Sequence, residues 1–167
     1  GVWQQIQRIA AGTATNQHHF GGAMALHGQR LLVGAVHHNE NGIKSGAAFM
    51  FEQNADGTWL EVAKLMPNTA EANHLFSWAM DVRDDVAVVT APRIDLPNEA
   101  ATAYIFNRGQ DGTWSEGEPI ERPDVDGVEQ FGVCATFVGE KLLIGAQAHG
   151  FLYSPGDDGA WRLDVAM

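Results

Sequence analysis

The sequence predicts an all-β fold built from repeated four-stranded units, and three observations carry that prediction. The first is an internal repeat. Phe20-Gly21 leads to Leu31-Leu32-Val33-Gly34-Ala35 and then to Ala48-Phe49-Met50-Phe51. Phe76-Ser77 leads to Val88-Val89-Thr90-Ala91-Pro92 and Ala103-Tyr104-Ile105-Phe106; Phe131-Gly132 leads to Leu142-Leu143-Ile144-Gly145-Ala146 and Phe151-Leu152-Tyr153. A repeat constrains the architecture before any residue has a role. The second is constant spacing. Trp3 to Phe20, Trp59 to Phe76 and Trp114 to Phe131 each span 17 positions; Phe51 to Trp59, Phe106 to Trp114 and Tyr153 to Trp161 each span 8. The third is composition: 19 glycines and few stretches of helical period point to strands and turns.

Each unit reads as four strands, A to D. Strand A follows the phenylalanine, as in Phe20 to His27. Strand B is an aliphatic run such as Leu31 to Val36, whose lack of alternation predicts burial on both faces. Strand C is Ala47 to Phe51, with Thr102 to Phe106 and Phe151 to Tyr153 as its equivalents. Strand D carries the tryptophan in the pattern Trp59, Val62, Leu65, whose spacing predicts a bulge or bend. Asp56-Gly57, Asp111-Gly112 and Asp158-Gly159 lie between C and D, where a tight hairpin needs positive φ. Trp3, Ile6 and Ile9 repeat the D pattern without A, B and C strands before them.

Four-stranded units of this length are the sequence signature of β-propeller blades, each sheet covered by its neighbours. The expected division is 1–11 as an outer strand of a neighbouring blade, 12–67 as blade 1, 68–121 as blade 2 and 122–167 as blade 3. Three consecutive blades do not close a ring, since propellers typically have about 4–8. The expectation is therefore part of a larger propeller, or one completed by a second copy. Gly1 is not an initiator residue, which fits a chain processed or cut from something longer.

Charge and cysteine content exclude several classes. Lys plus Arg number 10 against 21 Asp plus Glu, a formal net charge of -11. Nucleic acid and anionic membrane surfaces are poor partners for such a chain. No apolar run is long enough to span a bilayer as a helix. The single cysteine, Cys134, allows no intrachain disulfide. It aligns with Ala23 and Ala79 and is expected as a small buried thiol.

The motifs resemble the FG-GAP family of β-propeller repeats, found in integrin α-chain heads and many bacterial surface proteins. Phe20-Gly21 and Phe131-Gly132 match the FG; Gly34-Ala35-Val36, Thr90-Ala91-Pro92 and Gly145-Ala146-Gln147 match the GAP. The resemblance implies a non-catalytic binding or adhesion module with a protein or glycan ligand, at the cell surface or outside the cell. An assembly role, with blades supplied by the same longer chain or a second copy, is the alternative. The family's A–B calcium loop is not carried over: the A–B turns here are short and lack its aspartates. Asp124-Val125-Asp126-Gly127 reads as an acidic turn, and neither metal nor cofactor is expected.

In a blade the D–A and B–C loops share one rim, and loops on one face are where repeat proteins bind. The B–C loops are Val36 to Ser45, Arg93 to Ala100 and the short Gln147-Ala148-His149. The candidate ligand contacts are Trp78, His18, His74, Glu129, His38 and His149. His18, His74 and Glu129 share one repeat position, as do His38 and His149. Imidazole with carboxylate suits zinc, yet equivalent positions on successive blades stand too far apart for one ion, and solvated loop histidines are the plainer alternative. Trp78 replaces the small Gly22 and Val133 at the rim-side start of strand A. Asp81 is expected to pair with Arg83. Nothing resembles a nucleophile elbow.

Overall fold

The computed structural model describes residues 2–13, 18–92 and 101–167. Its regular structure is entirely β among these residues. In the first unit the strands are β1 (Phe20–His27), β2 (Arg30–Ala35), β3 (Ala47–Gln53) and β4 (Trp59–Leu65). The second holds β5 (Met80–Arg83), β6 (Val86–Ala91), β7 (Thr102–Arg108), β8 (Trp114–Glu116) and β9 (Ile120–Glu121). The third holds β10 (Glu129–Val138), β11 (Lys141–Gln147), β12 (His149–Pro155) and β13 (Trp161–Ala166).

Every unit is an antiparallel meander. The first and third sheets run in order β1-β2-β3-β4 and β10-β11-β12-β13; the second runs β5-β6-β7-β8, with β9 also paired to β7. The expected bend in strand D takes two forms. In β4 and β13 it is a register shift, opposite Met50/Phe51 and Leu152/Tyr153. In the second unit the strand is cut in two, and Gly117 spans the break by donating to the Ile105 carbonyl at 2.8 Å. The Asp-Gly turns have positive φ at Gly57, Gly112 and Gly159. Asp56 and Asp111 each accept from the backbone N–H and the hydroxyl of the threonine two residues on.

The sheets pack face to face. Leu32, Ala48, Met50 and Leu65 of the first meet Phe76, Met80, Val89, Tyr104 and Phe106 of the second. Val88, Ala103 and Ile105 on the other side of the second sheet meet Phe131, Ile144, Phe151 and Tyr153 of the third. In each interface an FG phenylalanine is fully buried and meets an aromatic of strand C edge-on. A charged network ties the first two units at their A–B turns. The Arg30 guanidinium donates to the Asp84 carbonyl at 2.7 Å and to Asp85 at 2.9 Å, and Glu52 lies between Arg30 and Arg108.

Two expectations are corrected. Asp81 does not pair with Arg83: its carboxylate accepts from Thr136 Oγ1 at 3.0 Å and the Phe137 N–H at 2.8 Å, bridging to the third sheet. Arg83 instead lies over the Phe137 ring and reaches Glu140. Cys134 is exposed, not buried. It sits on the outer face of the third sheet, which no other described residue covers. Residues 2–11 form no strand ladder among the described residues, as expected of a stretch without strands of its own unit before it, and Trp3 is 100% exposed. They are held instead by the Gln7 amide, which donates to the Trp59 carbonyl and accepts from the Trp59 N–H, and by Ile9 and Ala11 against Phe49.

Candidate functional site: the loop rim

The B–C loop of the first unit, 36–46, is the centre of one rim. On one side it meets its own D–A link: the His37 N–H donates to the His18 carbonyl at 3.2 Å. On the other it runs alongside the D–A link of the second unit. Asn73, Leu75 and Phe76 donate their N–H groups to the carbonyls of Ile43, Lys44 and Ser45 at 2.7, 3.0 and 3.2 Å. Gly46 and Phe76 form a parallel bridge there. This approach is the reason for glycine at 46: its φ is +84°, and a Cβ would lie 2.1 Å from the Phe76 carbonyl oxygen.

The histidines of the first unit meet as two ring pairs. His18 and His38 have ring centroids 4.7 Å apart, and His19 and His37 4.1 Å. His38 is only 3% exposed. Its Nδ1 accepts from the Glu40 N–H at 3.4 Å, its Nε2 lies 4.0 Å from the Glu40 carboxylate, and its ring meets Phe49 edge-on. Burial, and then the neighbouring His18, hold its pKa below the ordinary imidazole value, with Glu40 opposing. Glu40 is itself held below the usual carboxylate value, chiefly by its hydrogen bond from Lys64.

The other candidates divide by depth. His74 is 1% exposed, with Nε2 3.3 Å from the Tyr104 hydroxyl, which in turn contacts Thr69. A partner facing solvent cannot reach it. His149 stacks on Phe151 and its Nδ1 lies 3.1 Å from the Gln147 carbonyl. Glu129 is exposed at the start of β10, opposite Gln147. Trp78 is 40% exposed, just before β5, and its backbone N–H donates to the Thr90 carbonyl. The loop Arg93 to Ala100 lies outside the described residues. Among the described residues no group of three or more His, Cys, Asp or Glu side chains is placed to hold a metal ion.

His19 and His37 were not singled out from sequence. The signal was the doublets His18-His19 and His37-His38, one before strand A and one after strand B. Antiparallel pairing of β1 with β2 returns the chain to the same end, so the doublets must face each other.

At the opposite end His27, Gly28, Arg30, Glu52, Gln53 and Asp84 line a groove of about 220 Å³. The arginine is already engaged by carboxylates, so this groove reads as the underside of the charged network.

Four-stranded units with FG and GAP positions at equivalent places define a class of repeat module, and the comparisons agree. The FG-GAP repeat model matches residues 3–51 and 59–106. The chain belongs to the FG-GAP repeat family, and is a non-catalytic binding or structural module. The third unit lies beyond the matched residues, but its register repeats that of the first. No curated protein matches. Among solved structures, the crystal structure of a protein from Lactobacillus plantarum is similar, with a TM-score of 0.58 and 12% identity over 88% of this chain. At that identity the likeness speaks for the fold alone. The chain spans 41% of that protein's length.

Proposed function

We propose that this chain contributes three blades to a propeller completed by further blades, and that its D–A and B–C rim binds a protein or glycan. The observation that carries the assembly half is an exact equivalence of rows across the first and third sheets. Ala25, Leu32, Met50 and Ala63 form one row, paired strand to strand. Thr136, Leu143, Leu152 and Val165 form the same row in the third sheet. The first row lies beneath the second sheet; the second row has no sheet over it. At the other end Phe20, Leu31, Phe49 and Trp59 repeat the positions by which Phe76, Tyr104 and Trp114 meet a preceding blade. Residues 2–9 fit the outer strand of that preceding blade.

The binding half rests on the rim. The D–A and B–C loops carry the partly exposed Trp78, the exposed Glu129 and the histidine pairs, one set on each successive unit. Resemblance to integrin-type and bacterial surface repeats supports a place outside the cell or on its surface. No helix among the described residues is long and apolar enough to cross a membrane. Thermal melting with a panel of soluble oligosaccharides tests the reading, because a ligand that binds only the folded state raises Tm. A rise lost in Trp78→Ala supports rim binding. Unchanged melting, together with a fixed stoichiometry of chains, favours a purely structural role.

A further inference from the structure

We propose that the two histidine pairs of the first unit form an acid-sensitive latch that closes the rim at neutral pH and releases its B–C loop when the pH falls. The latch rests on the proposed binding role of the rim only for its consequence, because its opening is measurable without any ligand.

The geometry has three parts. His18 and His19 precede β1, His37 and His38 follow β2, and the rings meet across the gap at 4.7 and 4.1 Å. Imidazoles in ring-to-ring contact are compatible when at most one of a pair is charged. Two cations at that distance repel, most strongly where protein excludes water. Among the described residues, backbone bonds hold the loop carrying His37 and His38 on this side, including one from the His38 N–H to the Ala35 carbonyl at 2.9 Å. The His37 N–H donates to His18; the Gly46 N–H and the Ser45 hydroxyl both donate to the His38 carbonyl, at 2.9 and 3.0 Å. On its far side the same loop accepts the three backbone bonds from Asn73, Leu75 and Phe76. Displacing His38 therefore disturbs the seam between the first and second units as well as the rim.

The charged neighbours of His38 set the sign. His18 faces it from the D–A link, Glu40 from its own loop and Lys64 from β4. Glu40 would favour a charged His38, but its carboxylate is engaged by Lys64. Burial, His18 and Lys64 all oppose protonation, and they prevail. A histidine whose folded pKa lies below its unfolded value takes up protons on opening. The closed loop therefore loses stability as the pH falls through the ordinary histidine range.

The experiment is amide hydrogen exchange on the whole chain, without ligand, corrected for intrinsic pH dependence. The reporters are the amides of His37, Gly46 and Phe76. Protection is expected to fall by about tenfold or more between about pH 7.5 and pH 5, while amides of β6 and β7 hold theirs. His38→Gln leaves a polar group in a buried site and is a poor test. The informative variant is His18→Gln with His19→Asn, which removes one partner from each pair; asparagine tolerates the positive φ at 19. Its three reporter amides should lose part of their pH dependence, the remainder coming from the burial of His38. Protection that is flat with pH in the wild-type chain overturns the latch, as does a double variant that keeps the wild-type pH dependence.

Discussion

Gly46 shows how much a single position can decide. A methyl group there would strike the Phe76 carbonyl and force an L residue into a left-handed conformation. Gly46→Ala is expected to cost about 3 kcal/mol, the sum of backbone strain and a displaced seam, read from the urea midpoint. A loss below about 0.5 kcal/mol would mean that the B–C loop does not pack against the second unit as described. Tyr153 gives a pH test at the same scale. Its hydroxyl is buried with no hydrogen-bond partner among the described residues, and burial pushes its pKa up to about 12. The folded state then keeps a proton that the unfolded state releases above about pH 10, so stability falls between about pH 10 and 12. Tyr153→Phe should flatten that part of the profile. The roles of single side chains were the least legible in the sequence. His74 and His38 align with Glu129 and His149, yet the first two are buried, His149 is half-buried and Glu129 is exposed, because depth depends on the neighbouring unit and not on repeat position. Cys134 was misread for a related reason: Ala23, its equivalent, is covered by a second sheet, and Cys134 has none over it.

Among elements, the FG phenylalanines separate covered from uncovered interfaces. Phe76→Ala and Phe131→Ala should each destabilise by about 3–5 kcal/mol, as fully buried aromatic truncations do. Phe20 occupies the same repeat position but is only half-buried. Phe20→Ala should cost roughly half as much, because part of the ring already meets water. Equal losses at all three sites would show the outer face of the first sheet to be covered in solution. Asp81 makes a second test at this scale. Asp81→Ala removes the acceptor for Thr136 and the Phe137 amide, and about 1–3 kcal/mol should be lost, much of it recovered by restoring an acceptor in Asp81→Asn. The strands themselves were largely legible. Constant spacings fixed A, B and C, and the irregular apolar spacing of D foretold its bulges. The break at Gly117 was less plain, since the pattern keeps its ends at Trp114 and Ile120. The Asp81 bridge was not legible at all, because its partners are more than fifty residues away.

Across the whole molecule, two sheet faces carry apolar side chains that no described sheet covers. Met24 on the first sheet is 66% exposed, whereas Met80, its equivalent in the second, is buried against a neighbour. Leu143, Leu152 and Val165 repeat a row that the first sheet buries. Contiguous apolar faces of this kind mark surfaces made to be covered. The stretch 2–9 joins no sheet among the described residues and leaves its backbone groups open to a partner. The mass of the isolated chain in solution, followed by light scattering over a range of concentrations, bears on this most directly. Association that grows with concentration, by head-to-tail contact of the third sheet with the first, is the expected result. A stable monomer at all concentrations, unfolding in one cooperative transition, would contradict the stacking of these units as blades of a larger propeller.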